Sequence, residues 1–123
     1  MSSAVETILL GASRNEKVGS WFMLLLPILM EALQLFMEQC SETQAGFVAA
    51  CANPSAAHEN RLRRHIADLL WDVRREHEWG VFQTMLMSFA AKDAIIEEVK
   101  ATSKKTAGEG LLAQAWDELK TAA

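Results

Sequence analysis

His58 and Glu59 stand in the order that opens a zinc-protease helix, where a second histidine four residues after the first completes the metal-binding pair and the glutamate acts as base. Leu62 occupies the place of that second histidine, so the motif is not present. On one continuous helix His58, His65 and His77 fall on different faces, whereas a tetrahedral metal needs three or four convergent donors. Cys40, Cys51 and His58 supply three ligands only if the connector between them folds back, and their spacing matches no tight metal knuckle. Glu31 sits among apolar neighbours and most resembles a functional carboxylate. Gln34 and Glu38 share its stripe, however, which favours a solvated or paired face over a buried acid.

Asp68, Asp72 and Glu76 recur every four residues, a spacing that lines carboxylates along one side of a helix for a divalent cation or for acid–base work. Arg61, Arg64 and Arg75 are interspersed with them, and the pattern reads as an ion-paired, solvated face. A di-iron bundle requires Glu-x-x-His motifs on facing helices, and the predicted helices contain none. No serine, histidine and acid can be assigned as a nucleophilic triad. Neither cysteine is flanked by the lysine or arginine that would depress its pKa. No cofactor is therefore expected.

Arg61, Arg63 and Arg64 with His65, followed by Arg74 and Arg75, form the basic cluster of the chain. Its guanidinium groups can reach phosphates or guanine edges, and Trp71 offers a ring on which a base could stack. Five acidic residues from Glu59 to Glu78 neutralise that segment. A helix-turn-helix would also need a short recognition helix after a tight turn, which the pattern lacks. The formal charge of −4 further counts against non-specific nucleic-acid binding, which needs concentrated positive charge.

These residues must be positioned by helices. The chain has 123 residues, half of them hydrophobic, with no tyrosine and only two prolines; Leu, Ala, Glu and Met favour helix over sheet. The length suits one domain. Ser3 and Glu6 have capping-box spacing and start a short helix through Leu10, with a turn or frayed link over 11–19. Residues 1–10 lack the positive region of a signal peptide.

Residues 20–40 form the most apolar helix. Ser20, Pro27, Glu31, Gln34 and Glu38 fall in one stripe, and Phe22, Met23, Leu25, Leu26, Ile28, Leu29, Met30, Leu33, Phe36 and Met37 cover the rest. The run is too short to span a bilayer before Glu31 interrupts it. Pro27 should kink this helix around 23–27, or divide it, at limited cost because it lies on the polar stripe. Over 41–53 either a short helix or an irregular connector is possible, with Phe47 as anchor.

Asn53 as cap with Pro54 at the first helical position starts the next helix, which runs to Trp79 and stops at Gly80. Leu62, Ile66, Leu69, Leu70 and Val73 form its core face, leaving Trp71 and Trp79 on the polar side. A helix over 81–100 presents Val81, Phe82, Met85, Leu86, Phe89, Ile96 and Val99 to the core, with Ala90, Ala91 and Ala94 beside a close neighbour. Residues 101–110 read as a mobile loop. Thr106 with Glu109 caps a last helix carrying Leu111, Leu112, Ala115, Trp116 and Leu119.

The expectation is an all-α single domain, an irregular bundle of four to five helices. With two cysteines and no dense disulfide framework, the protein reads as soluble and cytoplasmic with reduced thiols. The surplus apolar surface of helix 20–40 makes a non-enzymatic interaction or regulatory protein the leading function, self-associating or binding another protein through Met23, Met30, Phe36 and Met37 together with Trp71 and Arg75. The alternatives are a nucleic-acid-binding regulator using Arg61, Arg64, Arg75 and Trp71, and a small enzyme or ligand sensor with Glu31, His77 or a cysteine in an interhelical pocket.

Overall fold

Six helices, against the four or five expected, form among residues 3–14, 21–40 and 42–122, the parts of the chain that the computed structural model describes; the side chains of residues 13, 22, 23, 39, 40 and 122 are outside that description. The helices are α1 (Ala4–Ser13), α2 (Phe22–Cys40), α3 (Gln44–Ala52), α4 (Ala56–Val73), α5 (Val81–Lys104) and α6 (Gly108–Ala122), with no strand among the described residues. One core joins all six. It runs from Ile8 and Leu9 of α1 through Phe36 of α2, Phe47 of α3 and Leu62, Ile66 and Leu70 of α4 to Ile95 of α5 and Leu112 of α6. No helix among the described residues is long and apolar enough to cross a membrane.

The helix starts follow local chemistry. Ser3 caps α1 by accepting the Glu6 amide at 3.0 Å, and Thr43 caps α3 by accepting that of Gly46 at 3.1 Å. Such caps satisfy amides that the first helical turn leaves without a partner. Helix α1 extends to Ser13, beyond the expected end at Leu10, while 15–19 of the expected link, and residue 20 at the expected start of the next helix, lie outside the described residues. Asn53 is the C-cap of α3 and not the N-cap of the next helix; Ser55 takes that role, accepting the His58 amide at 3.2 Å. Phe47 is the anchor expected of α3, fully buried and edge-on to Phe36.

Helix α2 is not divided at Pro27, which lies within it and is exposed. Helix α4 ends six residues earlier than its periodicity suggests. After Val73 the chain turns, Glu78 adopts φ 55°, the Trp79 amide donates to the Arg74 carbonyl at 3.0 Å and the Glu78 amide to that of Arg75 at 3.4 Å. This is the Schellman closure of a helix, with a glutamate in the left-handed position that glycine usually takes. Gly80 has φ −72° and is the N-cap of α5.

The central helix is α5, which contacts each of the other five. Its buried stripe includes Thr84, Ser88, Ala91, Ile95 and Thr102, advancing in steps of three, four or seven. The Thr84 and Ser88 hydroxyls donate to the carbonyls of Gly80 and Thr84, at 3.0 and 2.8 Å, so they enter the interior without stranded polar groups. Helix α5 continues to Lys104, and only 105–107 separate it from α6, a shorter connection than the loop expected over 101–110.

Candidate functional site

The first two turns of α5 carry bulky apolar side chains on the side away from its buried stripe. Val81, Phe82, Met85 and Leu86 are exposed by 60, 68, 46 and 51%. The spacing i, i+1, i+4, i+5 places them on one face. This corrects the expected assignment of these four to the core: the first turns of α5 turn the small Thr84 and Ser88 inward, where they permit close helix approach, and these large residues outward, whereas Ile96 and Val99 farther along are buried as expected.

Trp71 of α4, 43% exposed, borders the same face. It shares with Val81, Met85 and Phe89 a groove of about 650 Å³ between α4 and α5, which Asn60, Arg63 and Arg64 also line. The Arg63 guanidinium lies 4.5 Å from the centre of the Phe89 ring and that of Arg74 lies 3.9 Å from the Trp71 ring. These cation–π contacts hold the aromatic rings beneath positive charge. Among the described residues Arg63 and Arg64 are the charged ones of the groove lining, while the exposed Asp68, Asp72, Arg75, Glu76 and Glu78 lie on α4 or the turn after it, outside that lining.

The expected partner-binding residues do not converge. Phe36 and Met37 are 1% and 3% exposed, which removes them from any surface; the other helices cover that side of α2. Met30 is exposed but belongs to a separate groove on α1, α2 and α6, and the Met23 side chain lies outside the described residues. Trp71 and Arg75 are exposed. Trp79, expected on the polar side, is buried, with Trp21 edge-on at 5.7 Å and His77 stacked at 5.2 Å.

Of the nucleic-acid candidates, Arg64 shares the α4–α5 groove with Trp71, while Arg61 and Arg75 are exposed outside its lining. Arg74 occupies one face of the Trp71 ring, reducing the area a stacked base could use. Glu31 approaches His65, with Oε1 3.7 Å from Nε2, Cys51 is buried, and Glu76 lies beyond the end of α4. Neither groove contains Glu31, His77 or Cys51. Among the described residues no group of three His, Cys, Asp or Glu side chains is placed to hold a metal; the Cys40 side chain lies outside them.

Comparison with protein-family models, curated proteins and solved structures gives no match.

Proposed function

We propose that the chain is a non-enzymatic interaction protein that self-associates by apposing the exposed α5 face of two copies. The observation carrying this reading is the exposure of Val81, Phe82, Met85 and Leu86 on one face beside Trp71. A two-fold interface brings the same patch together twice. Arg63 and Arg64 line the groove beside that patch, and the exposed Asp68, Asp72 and Arg75, within four residues of Trp71 in the chain, add charges of both signs from which a rim could form.

Covering the remaining exposed half of five large side chains on each copy yields on the order of 10 kcal/mol, taking about 1 kcal/mol per half-buried side chain. Association costs about 4–15 kcal/mol. The surplus is at most about 6 kcal/mol, a dissociation constant of about 40 μM or weaker, so a weak reversible dimer fits these magnitudes better than an obligate one.

Light scattering across a concentration series tests the reading. The mass should rise from 13.7 kDa towards twice that value, and the double substitution Phe82→Ser, Leu86→Ser should keep the chain monomeric with unchanged helical circular dichroism. A wild-type chain that stays monomeric up to about 1 mM, or a double variant that dimerises equally well, overturns it.

A further inference from the structure

A second groove, of about 610 Å³, opens between α1, α2 and α6. Val5, Leu9 and Leu119 are its buried apolar surfaces, while Leu10 and Met30 are exposed by 48 and 45%. Leu26 completes its apolar lining. Its volume falls in the range of small-molecule sites, about 300–1,000 Å³.

The polar lining has one sign. Glu6 and Glu118 contribute carboxylates, Ser3 and Gln34 contribute neutral groups, and among the described residues no Lys, Arg or His lines the groove. Glu118 reaches from α6 to accept the amides of Ala4 and Val5 at 2.9 and 3.0 Å, so the start of α1 partly balances its charge. Glu6 is exposed; an ammonium headgroup can approach it while an attached alkyl chain covers Leu9 and Met30. A carboxylate headgroup meets like charge in the same place.

We propose that this groove binds an amphipathic cation, an aliphatic ammonium compound whose chain lies on the apolar lining and whose headgroup faces Glu6. The groove shares no lining residue with the α4–α5 face, so the inference stands or falls separately from self-association.

Titration calorimetry on the full chain with decyltrimethylammonium, decanol and decanoate, all below micelle-forming concentrations, tests it. The cation should bind at least tenfold more tightly than decanoate and more tightly than decanol. Glu6→Gln should remove most of that preference, and Met30→Lys, at an exposed position, should weaken cation binding at least tenfold with the helical spectrum unchanged. Absence of cation binding, equal binding of cation and decanoate, or full cation affinity in a folded Met30→Lys variant overturns the proposal.

Discussion

The carboxylate of Glu98 lies against the backbone of Gly11, so that a Cβ at position 11 would overlap it. This packs an acid of α5 against α1, and burial raises the Glu98 pKa despite the opposing charges of Lys105 and Arg14 and a hydrogen bond from Thr102. A raised pKa in the folded state means that the stabilising contribution is complete below the unfolded value, near 4.5, and is lost as pH rises through the folded value. Glu98→Gln should therefore melt at a higher temperature than the wild type at pH 7, and the difference should shrink as pH falls towards 4.5. Thermal melts of both proteins across that range check this; a lower melting temperature for the variant at pH 7 would mean that pairing outweighs burial.

Gly11 and Gly108 should respond differently to alanine. At Gly11 the obstruction is the end of a movable side chain, whereas at Gly108 it is the backbone carbonyl of Thr102. Gly11→Ala gains about 1 kcal/mol of helix propensity and should be close to neutral after Glu98 moves. Gly108→Ala should lose about 1–3 kcal/mol through overpacking. Urea unfolding separates the two outcomes, and equal effects would contradict the contact geometry.

Glu78 bears a conformation that its side chain disfavours, with φ 55° in the turn after α4. Glu78→Gly should stabilise the protein by about 0.5–1 kcal/mol, the relief of left-handed strain outweighing the added freedom of the unfolded chain. Chemical denaturation measures this change. A loss of stability would show that the Glu78 side chain contributes more to the fold than its backbone strain costs.

The sequence pattern makes the helical class, the Ser3 cap and the apolar face of α4 legible because each follows from neighbouring residues. The Schellman turn is not legible: continuing the helical period through residues 74–79 puts Trp79 on the polar side, but the turn resets the phase and buries it. In α5, volume misleads in the same way. Phe82 and Leu86 look like core residues until the closely packed Thr84, Ser88 and Ala91 stripe is recognised as the inner face. Trp71 is identifiable from the sequence as an exposed aromatic residue, whereas its α5 neighbours can be assigned only after that reversal.

That reversal gives a direct comparison of two phenylalanines. Phe36 is 1% exposed and packs edge-on to Phe47, while Phe82 is 68% exposed. Phe36→Ala should therefore cost about 3–5 kcal/mol through lost burial and a residual cavity, whereas Phe82→Ala should change monomer stability by less than about 0.5 kcal/mol. Under self-association, Phe82→Ala should instead raise the concentration needed for dimerisation. Denaturation at a concentration where the wild type is monomeric, paired with light scattering at higher concentration, separates folding from association. Similar stability losses for the two variants under monomeric conditions would contradict the outward placement of Phe82, while a purely folding-neutral Phe82→Ala with unchanged dimerisation would remove it from the interface.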